Sequence, residues 1–124
     1  MIIAIDFDGT LHTGKYPGIG AASPHAKETM QKLKEEGHYL IIWTCREGVL
    51  QTEAVNWLLA HEIPFDRVND HEPQNKAEYE PNVARKVYAD LYIDDKQVGG
   101  LPTWKDIYKY VWELTHDSGS GFGW

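Results

Sequence analysis

The sequence predicts an α/β fold in three layers, with a parallel sheet of about four strands and helices on both of its faces. Short, continuous apolar runs such as Ile2–Ile5 and Tyr39–Trp43 are typical of strands that are buried on both sides. Segments with helical spacing of apolar residues separate these runs. Such alternation favours parallel strands joined by crossover helices, so each run is expected to be one strand of a single sheet.

The first strand, Ile2–Ile5, leads into a glycine-rich loop from Asp6 to Gly20. Ser23 followed by Pro24 predicts a helix start, with serine as the N-cap and proline at the first helical position. Gly37 is expected to end this helix as the C′ residue. The apolar stripe of the helix is Ala26, Met30 and Leu33.

Tyr39–Trp43 is the second predicted strand, and a helix is expected from about Val49 to His61. Pro64 stops that helix, because proline cannot continue it. Phe65–Asn69 predicts a short third strand. The polar stretch from Asp70 to Glu80 predicts a connection that mixes loop with a short helix.

Leu91–Ile93 is the fourth predicted strand. Thr103 with Asp106 resembles a capping box and predicts the start of a last helix. We expect one domain over residues 1–116 and a flexible tail over residues 117–124, which are rich in glycine and serine.

Composition narrows the classes of partner. The chain has 124 residues, 42% of them hydrophobic, and a formal net charge of −7, so nucleic acid is not expected to bind. A lone cysteine, Cys45, excludes a disulfide within the chain and a cysteine-rich zinc site. Neither a signal peptide nor a membrane-spanning run is visible, so the cytoplasm is the expected compartment and no membrane partner is expected.

Three predicted strands end in chemically active residues. Asp6-Phe7-Asp8-Gly9-Thr10 follows the first strand, Thr44 follows the second, and Asp94-Asp95 follows the fourth. In a parallel sheet these ends share one edge, so the carboxylates are expected to converge. Several adjacent carboxylates need a compensating cation, and hard oxygen ligands favour Mg²⁺.

The spacing of Asp6 and Asp8 also carries information. Residues two apart in an extended segment project to the same side, so both carboxylates would face a substrate while Phe7 points into the core. Gly9 would let the chain turn, and neighbouring N–H groups could then face phosphate oxygens.

These residues resemble the motifs of the haloacid dehalogenase superfamily. Asp6–Thr10 after a buried strand resembles its first motif, and Ile41–Thr44 resembles the second. Lys86 with Tyr92–Asp95 resembles the third and fourth motifs. The motifs occur in family order between Met1 and Leu114, and Tyr88–Lys96 resembles small members of phage and bacterial type.

The resemblance implies a Rossmann-like fold and a magnesium-dependent phosphatase. Asp6 would be the nucleophile that forms an aspartyl-phosphate, and Asp8 the general acid and base. Lys86 would neutralise charge, although Lys76 is an alternative. Phosphate contacts are expected from Gly9, Thr10, Thr44, Cys45 and Arg46. Magnesium ligands are expected from Asp6, Asp8, Asp94 and Asp95.

The loop from Leu11 to Ala22 is too short for a folded lid, so a capless member is expected, with Lys15 and Tyr16 on a small flap. An open site would admit a phosphorylated small molecule or an exposed phosphate on a larger substrate. A homo-oligomer is one option, and a catalytically idle binding module remains the alternative function. His12 is interpreted as an ordinary loop residue, with a place on the flap as the alternative, and Cys45 is interpreted as packing.

Overall fold

The computed structural model describes residues 1–116, which form a parallel sheet of four strands and four helices. The strands lie in the order β3-β2-β1-β4, and each neighbouring pair is parallel. The predicted α/β class and number of strands are confirmed. The elements in chain order are β1 (Ile2–Ile5), α1 (Ala26–Glu35), β2 (Tyr39–Ile42), α2 (Gly48–Ala60), β3 (Arg67–Val68), α3 (Pro73–Tyr79), β4 (Leu91–Ile93) and α4 (Trp104–Thr115).

Apolar side chains cover both faces of the sheet. On one face, alternate residues of β1 and β2 pack with apolar residues of α1, α2 and α4 in the larger core cluster. On the other face, Ala4 and Ile41 pack against Val87 and Ala89, which lie between α3 and β4. Because both faces are covered, β1 and β2 carry apolar residues at successive positions.

Two predicted helix ends are confirmed. Gly37 has a φ angle of 88° and its N–H donates to the Lys34 carbonyl at 3.1 Å, so it closes α1 in a left-handed conformation. Thr103 Oγ1 accepts the backbone N–H of Asp106 at 3.2 Å and caps α4.

The predicted start of α1 at Ser23-Pro24 is wrong. The helix begins at Ala26, after His25 in a left-handed conformation with a φ angle of 65°. The Ser23 N–H donates to the Leu11 carbonyl at 2.9 Å, which holds this residue against the loop after β1. Ser23 is therefore the first residue of a turn, and its carbonyl accepts the N–H of Ala26 at 3.1 Å.

The third strand is shorter than predicted, because only Arg67 and Val68 adopt strand geometry. Asn69, which was expected to end the strand, has a φ angle of 53° and bends the chain. Its N–H still donates to the Ile42 carbonyl at 2.8 Å, so pairing with β2 continues past the bend. The tail predicted over 117–124 lies outside the described residues.

The strand order places a topological switch point between β1 and β4. β1, β2 and β3 follow one another in one direction, and β4 then returns to the free side of β1. The register pairs Ile5 with both Ile42 and Ile93, so the carboxyl ends of these three strands are level. Ligands of open α/β sheets bind at such a point. Within residues 1–116, every helix falls short of the length and apolarity that crossing a membrane demands.

Candidate active site

Acidic side chains meet where β1 and β4 end. Asp6 follows β1 directly, and its backbone N–H donates to the Ile93 carbonyl at 2.9 Å. This bond continues the strand pairing and brings Asp6 beside the residues that follow β4. One carboxylate oxygen each from Asp6, Asp94 and Asp95 lies within 4.8 Å of the others. The expected convergence of carboxylates from the first and fourth strands is therefore observed.

Thr10 holds the loop after β1 against the end of β4. Its side chain is fully buried, and its Oγ1 donates to Asp6 Oδ2 at 3.1 Å while accepting the Asp95 backbone N–H at 3.1 Å. The indole N–H of Trp104 donates to the Thr10 carbonyl at 3.0 Å and ties the loop to α4. Thr10 therefore orients Asp6 with its hydroxyl, and its expected contact with phosphate stays a prediction.

Gly9 is required by both its conformation and its surroundings. Its φ angle is 77°, a region in which side chains are disfavoured. A Cβ atom at this position would overlap the carboxylate of Asp95. The absence of a side chain at Gly9 therefore lets the loop after β1 and the end of β4 approach each other.

The surroundings of Asp6 disfavour its charged form. Burial, a hydrogen bond with Asp95 and the nearby charge of Asp94 raise the pKa of Asp6 to about 8, although the Thr10 hydroxyl opposes this. Without a cation, Asp6 therefore holds a proton near neutral pH. A bound cation would displace that proton and convert Asp6 to a carboxylate.

The carboxylates fit a divalent cation. Asp95 Oδ1 is buried and has no hydrogen-bond partner in the described part of the chain. A buried oxygen of this kind carries a desolvation cost unless a ligand reaches it. Three carboxylates that offer hard oxygen atoms at mutual distances below 4.8 Å form a donor set suited to such an ion.

Asp8 lies in a different environment from Asp6. Arg46 Nε donates to Asp8 Oδ2 at 2.8 Å, and Arg46 Nη2 donates to Oδ1 at 2.7 Å. Burial alone would raise the pKa of Asp8, but the hydrogen bonds from Arg46 and His12 outweigh it and hold that pKa below its usual value. Near neutral pH and without a cation, Asp8 is therefore ionised whereas Asp6 holds a proton.

His12 is a fully buried partner of Asp8. Its Nδ1 accepts the backbone N–H groups of Gly14 at 3.0 Å and Gly20 at 3.2 Å, so the ring proton sits on Nε2. His12 Nε2 lies 2.8 Å from Asp8 Oδ1 and donates to it. The interpretation of His12 as an ordinary loop residue is therefore wrong.

Residues after β2 form a further side of the site. The Asn69 side chain accepts the Thr44 N–H and donates to the Thr44 carbonyl, both at 2.8 Å. Thr44 Oγ1 accepts the Arg46 N–H at 3.1 Å, which leaves its own proton for another acceptor, such as the expected phosphate. Cys45 is exposed in the cleft, so its interpretation as packing is wrong.

Comparisons with known proteins agree with this geometry. Residues 3–69 match the family model of haloacid dehalogenase-like hydrolases. The chain belongs to the haloacid dehalogenase-like hydrolases. A solved structure of a conserved protein from Bacteroides thetaiotaomicron is 44% identical over 92% of this chain and 91% of that chain, with a TM-score of 0.83. No curated protein matches the sequence. The relationship to a small haloacid dehalogenase-like protein is thus confirmed.

The cleft of this hydrolase has a volume of about 440 Å³. Tyr16, on the loop between β1 and α1, lines the cleft as expected for a flap residue. This loop is short, and no separate cap domain covers the cleft in residues 1–116. The lining residues are Asp6, Asp8, Tyr16, Cys45, Asp94, Asp95 and Lys96.

Neither Lys86, the lysine expected near the nucleophile, nor its alternative Lys76 lines the cleft. Lys86 Nζ sits 4.7 Å above the centre of the Tyr92 ring and lines a separate cavity of about 320 Å³. Lys76 Nζ lies 3.7 Å from Asp70. Lys96, which directly follows Asp94 and Asp95 in the chain, lines the cleft instead. The catalytic role of Lys86 stays a prediction, and Lys96 is the lysine that lines the cleft among the described residues.

Arg46 also lies in an unexpected position. Only 1% of its surface is exposed, and its Nε and Nη2 face Asp8 rather than the open cleft. Its expected contact with phosphate therefore stays a prediction. Sequence reasoning missed Asn69 as well, although a polar residue at the end of a predicted strand was the available signal.

Proposed function

We propose that this hydrolase cleaves phosphate monoesters with Mg²⁺, through an aspartyl-phosphate formed on Asp6. The observation that carries the proposal is the meeting of Asp6, Asp94 and Asp95 oxygens within 4.8 Å at the switch point of the sheet. Asp6, Asp94 and Asp95 would hold the ion with their side chains, together with the backbone carbonyl of Asp8. When bound, the cation would neutralise the charge of the phosphoryl group and of the carboxylates around it.

In the first step, an Asp6 oxygen attacks phosphorus, and the bond between phosphorus and the leaving oxygen breaks. The leaving oxygen takes a proton through Asp8. Because Asp8 is ionised at rest, this proton enters with the substrate as the ester monoanion. The lowered pKa of Asp8 supports this order of events.

In the second step, water attacks phosphorus, and the bond between phosphorus and Asp6 breaks to release inorganic phosphate. Asp8 accepts the proton that the water loses. Thr44 retains a hydroxyl proton that suits a phosphate oxygen, and Lys96 supplies positive charge beside the cleft. The open cleft favours a phosphorylated small molecule or an exposed phosphate on a larger molecule.

A screen of phosphate monoesters with and without Mg²⁺ tests this function. We expect turnover that requires Mg²⁺, and Asp6→Asn should abolish it because an amide is a poor nucleophile. Asp106→Asn, a change at an exposed aspartate on α4, is the matched control. Full activity of Asp6→Asn would contradict the nucleophile assignment.

A catalytically idle binding module is the second candidate, and the position of Lys86 outside the cleft favours it. Beryllium fluoride with Mg²⁺ distinguishes the two candidates, because it mimics a phosphoryl group on a carboxylate. The phosphatase should bind it at Asp6, as chemical-shift changes around residues 6–10 would show. If beryllium fluoride did not bind and no phosphate ester was hydrolysed, the binding module would be favoured.

A further inference from the structure

We propose that His12 and Arg46 are positioning residues that orient Asp8, so that Oδ2 of Asp8 is the oxygen that handles the proton. The inference rests on the proposed function. It assigns roles to two buried polar side chains that lie outside the acidic triad of Asp6, Asp94 and Asp95.

The distribution of hydrogen bonds singles out Oδ2. Asp8 Oδ1 accepts from both His12 Nε2 at 2.8 Å and Arg46 Nη2 at 2.7 Å. Within residues 1–116, the one hydrogen bond to Oδ2 comes from Arg46 Nε, at 2.8 Å. A carboxylate has about four acceptor positions, two on each oxygen. The protein therefore fills both positions on Oδ1 and leaves one on Oδ2 for a leaving oxygen or a water.

Arg46 is itself fixed on several sides. Its guanidinium carbon lies 5.3 Å from the centre of the Phe7 ring and 5.1 Å from that of the Tyr16 ring. Nη2 also donates to the carbonyls of Pro17 at 3.0 Å and Gly18 at 3.3 Å. The side chain is 1% exposed, so it cannot rotate without disturbing the loop. Arg46 thus links Asp8 to the loop that carries Tyr16.

His12 is held in place where the two sides of the same loop approach each other, at Gly14 and Gly20. Gly14 and Gly20 approach each other so closely that a Cβ atom on either would collide with the backbone of the other. Both of their N–H groups donate to His12 Nδ1, which locks the tautomer that donates to Asp8. The orientation of Asp8 is therefore set by the loop over residues 13–20 as well as by β1.

The test compares two substrates under Mg²⁺. The leaving group of p-nitrophenyl phosphate departs without a proton, whereas the leaving group of a simple alkyl phosphate needs one. We measure kcat/KM, which covers the steps up to phosphoenzyme formation. In His12→Leu and Arg46→Lys, kcat/KM for the alkyl ester should fall about 10²-fold or more, whereas that for the aryl ester should change less than about threefold.

Conservative and distant variants complete the design. His12→Gln should recover most of the activity toward the alkyl ester, because its amide can donate to Asp8. The matched controls change exposed residues and are His116→Leu and Arg85→Lys. Both should leave kcat/KM unchanged for the alkyl and the aryl ester. An equal fall for both esters would mean that His12 and Arg46 only hold the fold, and that result would overturn the inference.

A measurement that does not need turnover separates this inference from the proposed function. Long-range ¹H–¹⁵N spectra at pH 7.5 should show His12 protonated at Nε2 and unprotonated at Nδ1. A proton on Nδ1 would overturn the positioning role, whatever the enzyme assays show. If His12 had the expected tautomer but the protein hydrolysed no phosphate ester, the proposed function would be contradicted. The hydrogen bonds around Asp8 would then be as described, but without the predicted chemistry.

Discussion

Replacing Thr10 by valine tests the hydrogen bonds that join the loop after β1 to the end of β4. Valine has nearly the shape of threonine but lacks its hydroxyl. The change removes the donor to Asp6 Oδ2 and the acceptor for the Asp95 N–H, both at 3.1 Å. Because Thr10 is fully buried, water cannot take the place of its hydroxyl.

The expected cost follows from the Asp95 N–H, which is part-buried and would lose its acceptor. A buried donor left without a partner costs about 1–3 kcal/mol, so the free energy of unfolding should fall by about 2 kcal/mol. With an m-value of about 1–3 kcal/mol/M in urea, the unfolding midpoint should fall by roughly 1 M. The affinity for Mg²⁺ should also fall, because the Thr10 hydroxyl favours the charged form of Asp6.

Urea unfolding in the presence of a chelator, followed by circular dichroism, measures this effect on stability. Thr52→Val is the matched control, because Thr52 is exposed and its hydroxyl donates to the Gly48 carbonyl within α2. Its midpoint should stay near that of the wild type. If Thr10→Val also left the midpoint unchanged, the reasoning about the buried hydroxyl would be refuted.

Three further predictions concern the same site. Gly9→Ala should weaken Mg²⁺ binding at least about tenfold in calorimetry, because its Cβ would displace the Asp95 carboxylate; unchanged affinity would contradict the packing. Because the pKa of Asp6 is raised to about 8, the metal-free protein should lose stability as pH rises from about 4 to 8, and Mg²⁺ should raise Tm more at pH 8 than at pH 5.5. Equal Tm increases at both pH values would rule out proton displacement from Asp6. Trp104→Phe should lower the free energy of unfolding by about 1–2 kcal/mol, because the Thr10 carbonyl loses its donor. An unchanged Tm in thermal melts would contradict this prediction.

The sequence contains the main features of the fold because local patterns and the strand-end rule point the same way. Continuous apolar runs identify β1, β2 and β4, and the acidic residues that follow β1 and β4 do meet. Helix ends set by a single residue, such as Gly37, were also predictable. These features depend on short stretches of chain or on the topology of a parallel sheet.

Features that depend on side chains from distant segments were not predictable. His12 is four residues from Asp8, but no helix gives that spacing a meaning, and only the turn of the loop brings the two together. Arg46 is 38 residues from Asp8 and was expected to face a phosphate. Sequence cannot show which donors of a guanidinium a carboxylate from a distant segment will occupy.

The start of α1 was predicted wrongly for the same reason. Ser23 and Pro24 form a good local signal for a helix start. The hydrogen bond from the Ser23 N–H to the distant Leu11 carbonyl instead holds these residues in a turn, and the helix begins only at Ala26. Local capping preferences amount to about 1 kcal/mol, so a tertiary contact can override them.

The position of β4 has a consequence for synthesis on the ribosome. β1 is made first, but one of its two sides is paired only after Leu91–Ile93 have emerged. Until then, the growing chain exposes an apolar strand edge of the kind that promotes association between incomplete chains. The same delay means that a nascent chain cannot assemble the acidic triad until Asp94 and Asp95, which follow β4, have emerged.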